Sequence, residues 1–350
     1  MKISKLRGTM IAGALGVAFV MTGVMTTPVQ SAEVTLKLHH LLPPVAPAHQ
    51  KMLVPWANNV MKESGGKIKV DIYPAMQLGG KPPQLAQQAK DGFVDIVWTV
   101  LGYTPGRFTK VEVFELPFFH SNTVTTNKAL WDYTEKNGDE FKDYKLIALH
   151  VHAGQAFHSI KPIRTADDLK GLKIRTPTRT GGWMIEAMGA TPIGSPVPKI
   201  PEMLSKKVVD AVLIPYEVTM ALKVHELVDF HTTLDDPLIE RINTTTFMIA
   251  MNKKKYDSLS PELRKVIDKN SGASQAEWIG KVWQAAEGPG YTNAAKSGEM
   301  IKMAPAEVAK LRARTEGPVT ERWVSEMKKK GADGNALIAE AKALMKKYSK

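Results

Sequence analysis

Two kinds of side chain in this sequence stand where they could do chemistry: one strand-end arginine and a few histidines. In Gly171–Arg175, GLKIR, alternation sends Leu172 and Ile174 to a core and Lys173 and Arg175 the other way, and Pro177 ends the strand. A guanidinium there presents a planar fork that matches a carboxylate in two parallel, charge-assisted hydrogen bonds. The same spacing fits an arginine paired with an aspartate of its own lobe equally well. His39 and His40 end an earlier strand without a matched carboxylate motif, and His225-Glu226-Leu227-Val228-Asp229 lacks the second histidine that a two-imidazole metal site needs one turn on. The patterns G-x-S-x-G, G-x-G-x-x-G and G-x-x-x-x-G-K-[ST] are absent. With no cysteine, disulfides, thiolate nucleophiles, iron–sulfur clusters and Cys-based zinc sites are excluded. At Arg175 the residues leave acid binding and a structural ion pair equally open, and nothing gives a strong reason to propose catalysis or a cofactor.

Elements that position these residues follow from periodicity. The chain is 350 residues long with 43% hydrophobic and 23% charged residues, enough for about two domains with a core in each. Strand alternation in VTLKL (Val34–Leu38) and in KIKVDIY (Lys67–Tyr73) brackets a helix through Met52, Trp56 and Val60, which Pro55 should bend and Gly65-Gly66 should stop. A short helix follows around Leu85–Lys90, and then VDIVWTV, apolar enough to lie inside a sheet. A second series starts near His150: AFHSI, a short helix at Ala166–Lys170, LKIRT, a helix at Gly182–Met188 and VVDAVLI. Two α/β units in tandem predict two lobes with a cleft between them. TTTFMIAMN from Thr244 reads as a strand returning to the first lobe, and Ser260-Pro261-Glu262 as a capped helix start opening a helical C-terminal region.

Lys2, Lys5 and Arg7 precede an uncharged stretch, Gly8–Ala32, with an apolar centre of about 15 residues, short of the roughly 20 that span a bilayer. It reads as a cleaved signal peptide over residues 1–32, which places the mature chain in the periplasm and lowers its net charge from +12 to +9. An exported protein meets no nucleic acid in normal service, so the basic balance does not point to one. The lysines of the tail, such as Lys328–Lys330, read as a solvated helical face.

Residues 167–218, DDLKGLKIRTPTRTGGWMIEAMGATPIGSPVPKIPEMLSKKVVDAVLIPYEV, resemble the solute-binding proteins of tripartite ATP-independent periplasmic (TRAP) transporters, of the C4-dicarboxylate-binding type. LKLHH, GGKIKVDIYPAMQLGG, DGFVDIVW, FELPFF and VSEMKKKGADGNALIAEAKAL extend the likeness over essentially the whole mature chain. The resemblance implies two α/β lobes, residues 33–152 plus about 241–280 and 153–240 plus about 281–350. A ligand cleft would lie between them, with a long C-terminal helical region. It also implies that the lobes close on a small organic acid and deliver it to an ion-gradient-driven TRAP-type permease, as a monomer or a dimer.

By position, the resemblance puts Arg175 on the ligand carboxylate, Thr178 and Arg179 in the following ligand loop, and Trp98, Thr99 and Tyr103 on the first-lobe wall. His40 and His158 are further pocket candidates. Where many relatives end the late second-lobe strand in Glu-Asn, this chain has Leu213 and Ile214, leaving Tyr216 and Glu217 as the next polar groups; Gly154-Gln155-Ala156 replaces a second arginine of some relatives. These departures shift the expectation from a dicarboxylate or sugar acid toward a monoacid with an apolar or aromatic body, a small sulfonate or a hydroxy acid. Competing readings are a ligand-sensing binding protein for a membrane receptor and an exported α/β hydrolase.

Overall fold

The computed structural model describes residues 1, 32–236 and 241–349, so the expected leader, apart from its end residues, lies outside the described residues. Alternation that buries Leu36 and Leu38 makes Val34–His40 a strand, β1; the same period gives β2 (Ile68–Tyr73), and the apolar run Ile96–Val100, buried throughout, is β3. The remaining strands are β4 (Tyr144–Val151), β5 (Ala156–Ser159), β6 (Lys173–Thr176), β7 (Thr191–Gly194), β8 (Ala211–Ile214), β9 (Phe230–Leu234), β10 (Thr246–Asn252) and β11 (Glu299–Met303). They form two mixed sheets, ordered β2-β1-β3-β10-β4 and β11-β9-β5-β8-β6-β7. In the first, β1 runs parallel to β2 and β3, and β10 enters antiparallel between β3 and β4. In the second, β5 runs antiparallel to β8 and β9. Each sheet is the centre of one lobe of a two-lobed α/β protein.

The α-helices of the described residues are α1 (Val54–Glu63), α2 (Leu85–Asp91), α3 (Thr123–Asn137), α4 (Arg179–Ala187), α5 (Ile200–Ser205), α6 (Tyr216–Ala221), α7 (Lys253–Asp257), α8 (Pro261–Lys269), α9 (Ala273–Ser297), α10 (Pro305–Lys329) and α11 (Gly334–Tyr348). Pro55 lies in the first turn of α1, which continues directly from a π-helical segment, Ala48–Leu53, so the helical run is irregular just ahead of the proline. Ala166–Lys170 forms turns and no helix. Helix α4 begins at Arg179, earlier than the sequence suggests, because the Thr178 hydroxyl caps it and accepts from the Gly181 N–H at 3.1 Å. Ser260 caps α8 with Pro261 in its first turn. The helical tail is interrupted by β11, which adds an edge strand to the second sheet beside β9.

Helix α9 links the lobes. It packs on α3 and β4 on the first side and on α6 and β11 on the second. Two glycines permit that closeness: a Cβ at Gly280 would stand 2.9 Å from Val124 Cα, and one at Gly290 would collide with the Tyr216 carbonyl. Helix α10 lies on α4 and reaches the first lobe through Trp323, whose Nε1 donates to the Thr109 carbonyl at 3.2 Å; α11 packs against α3.

Candidate functional site

Arg175 sits near the end of β6, paired in register with Ile193 of β7 and Val212 of β8, and is 1% exposed. Backbone carbonyls hold its guanidinium: Nε and Nη2 donate to Ser195 O at 2.8 and 2.6 Å, and Nη1 to Leu213 O at 3.3 Å. The Tyr103 hydroxyl of the first lobe also hydrogen-bonds it, and no carboxylate pairs with it among the described residues. Burial pulls the arginine's pKa down, and Tyr103 opposes that shift. Carbonyl dipoles orient a cation without neutralising it, so the arrangement leaves a buried positive charge for an anion to compensate.

The guanidinium lines a small cavity between the lobes, with a volume of about 40 Å³. One side is aromatic. Trp98 and Phe247 stack with centroids 5.3 Å apart and planes 4° from parallel, and Trp283 of α9 lies 6.3 Å from each. Behind them His150 stacks on Phe247 at 5.0 Å, accepting from Trp98 Nε1 at 2.9 Å through Nε2 and facing Trp283 Nε1 at 3.0 Å with Nδ1. Burial lowers its pKa to about 3, so the ring is neutral. Leu41, Leu42 and Ile214 are among the aliphatic residues of the lining. Flat π-faces and aliphatic walls around one fixed cation suit a planar hydrophobic acid.

Of the residues singled out from the sequence, Arg175, Trp98, Tyr103 and Glu217 line this cavity. Tyr103 bridges the lobes, its hydroxyl accepting from the Val197 N–H at 2.8 Å. Six others lie elsewhere. Thr99 alternates to the opposite face of β3 from Trp98, and Thr178 is occupied as the cap of α4. Arg179 forms a bidentate ion pair with Glu112, both contacts 2.7 Å, and its guanidinium lies 5.0 Å from the Trp183 ring. His40 bonds His49 at 2.9 Å; burial and then the His49 and His39 charges lower its pKa to about 3. His158 shares a 2.6 Å hydrogen bond with His231 and reaches Ile214 O at 3.1 Å. Tyr216 is buried beneath the site with its ring edge-on to His158.

Phe247, Trp283, Thr245 and His152 line the cavity without having been anticipated. Thr245 and Phe247 share a face in TTTFMIAMN, a readable alternation once the facing lobe is known. Trp283 lies in a helical stretch whose apolar pattern does not distinguish a cavity wall from a core.

Residues 38–326 match the family model described as bacterial extracellular solute-binding protein, family 7. A TRAP solute-binding protein of Rhodoferax ferrireducens T118, solved in complex with copurified benzoate, is 45% identical; the match covers 90% of this chain and 98% of that one with a TM-score of 0.88. A marine metagenome TRAP solute-binding protein described as specific for aromatic acid ligands, solved with 3-hydroxybenzoate, is 44% identical over 91% of this chain and 100% of that one, with a TM-score of 0.89. The outer membrane transporter protein TsaT of Comamonas testosteroni is 27% identical over 313 residues, 88% of this chain and 91% of its own.

Proposed function

The chain belongs to family 7 of the bacterial extracellular solute-binding proteins, the non-catalytic organic-acid receptors of TRAP transporters that work with membrane permeases, and from that premise we propose that its ligand is an aromatic monocarboxylate. The observation that carries this reading is the juxtaposition of Arg175, buried without an acidic partner, with the stacked faces of Trp98, Phe247 and Trp283 in one narrow cavity. The carboxylate sits on Arg175 and Tyr103, and the ring lies along the aromatic wall. The benzoate and 3-hydroxybenzoate held by relatives more than 40% identical agree with that chemistry. A dicarboxylate would leave its second charge against the apolar walls, where no second cation among the described residues lines the cavity.

The ligand-contacting residues in this reading are Arg175, Tyr103, Trp98, Phe247, Trp283 and Glu217. Arg179 serves lobe contact instead, and Thr99, Thr178, His40, His158 and Tyr216 serve the frame around the site. The lobes are residues 33–152 with about 241–280, and 153–240 with about 281–350, α11 resting on the first. The leader over residues 1–32 is cleaved on export and the receptor works in the periplasm; no helix among the described residues is long and apolar enough to cross a membrane.

A thermal-shift comparison tests the ligand class. Benzoate or 3-hydroxybenzoate at 100 times its dissociation constant adds about 2.7 kcal/mol of stability and raises the melting temperature. Succinate leaves it unchanged. A shift with succinate and none with the aromatic acids would overturn the reading.

A further inference from the structure

Glu217 differs from the other polar side chains that line the cavity. Tyr103 accepts from the Val197 N–H, Thr245 from Gln155 Nε2 at 2.9 Å and His152 from the Gly154 N–H at 3.1 Å, and Arg175 is held by carbonyls. Glu217, 5% exposed at the start of α6, has an Oε2 without any hydrogen-bond partner. The neighbouring acid is occupied: Glu287 accepts from the Glu217 N–H at 2.9 Å and pairs with Arg241 at 3.4 Å. Arg175 and Glu217 both line the cavity, and no ion pair joins them among the described residues.

We propose, resting on the aromatic-acid reading above, that Glu217 selects aromatic acids that carry a ring hydroxyl, which hydrogen-bonds its free carboxyl oxygen while the ligand's carboxylate is held by Arg175. Burial first, and the Glu287 charge second, hold Glu217 well above the ordinary carboxyl range, which favours its protonated form. A neutral carboxyl both donates and accepts, and a hydroxyl does the same, so the two are complementary. An unsubstituted ring leaves the buried oxygen orphaned, which a site built to bond a hydroxyl discriminates against. A second carboxylate would bring a charge toward Glu287.

The test is calorimetric titration of benzoate, 3-hydroxybenzoate and 4-hydroxybenzoate into the wild-type protein and into Glu217→Leu and Glu217→Gln. The expected result is a preference of about tenfold or more for one hydroxybenzoate over benzoate in the wild type, falling to near unity in Glu217→Leu and partly kept in Glu217→Gln. A merely structural role for Glu217 would shift all three affinities together and leave their ratios intact. Equal wild-type affinities for benzoate and both hydroxybenzoates, or a preference that survives Glu217→Leu, overturns the proposal while leaving the aromatic-acid reading standing. Failure of the wild type to bind any of the three overturns that reading and this one with it. Should Glu217→Leu not fold, the wild-type ratio and its change in Glu217→Gln decide.

Discussion

In the proposed reading Arg175 concentrates the binding energy, because its charge is buried and its partners are dipoles. Replacing it with Ala removes the only cation that lines the cavity among the described residues and leaves the ligand's carboxylate buried without a counter-charge, so affinity for an aromatic acid falls by about 2 to 5 kcal/mol. Calorimetry checks this; unchanged affinity would disprove the assignment. The residue was legible because a strand-end arginine before a proline is a local pattern, but whether it met an aspartate or a ligand was not, since that depends on the facing lobe. Arg179 shows the reverse case. It is as basic and only four residues on, yet it opens a helix whose first turn faces Glu112, 67 residues earlier in the chain, and no spacing rule reports such a pairing. His150 was unreadable for another reason. A neutral imidazole has one lone pair, and here two indole N–H groups lie at its two nitrogens. The tautomer of the ring decides which indole it accepts from, and no local sequence pattern brings two tryptophans and a histidine from β3, β4 and α9 to one point.

At the scale of elements, the N-terminus of α4 is where the lobes grip each other away from the ligand. Arg179 holds Glu112, and the Thr180 hydroxyl donates to Glu115 at 2.9 Å while Thr246 on β10 donates to the same carboxylate. Arg179→Ala orphans a Glu112 that is already largely desolvated, and stability falls by about 3 kcal/mol at pH 8 in urea denaturation. The loss is smaller at pH 5. Burial raises the Glu112 pKa to about 7, above its unfolded value, so the group favours the fold at low pH and that contribution is lost as pH rises through 7. Equal losses at both pH values would contradict a carboxylate origin. Strands with strict alternation, such as β1 and β2, and the Ser260 cap of α8 were plain in the sequence. Ala166–Lys170 was not, because an Asp-Asp-Leu-Lys run has helical composition but too few residues for a stable turn-to-turn ladder. Nor was β11, whose only support is pairing with β9.

For the whole molecule, the cavity between the lobes is small beside an aromatic ring. Binding in the proposed mode is therefore expected to involve lobes that part for entry and close on the ligand. Small-angle scattering should show a smaller radius of gyration on adding benzoate, and an unchanged profile would count against closure. The motion must be absorbed by the segments that join the lobes, and α9 is one of them. It is seated at Gly280 on the first lobe and at Gly290 on the second, and between those seats Pro289 offers no N–H to the Ala285 carbonyl. The helical ladder is therefore one rung short inside the span, and the link can flex there while both ends stay anchored, with Trp283 kept on the first-lobe side against Trp98 and Phe247.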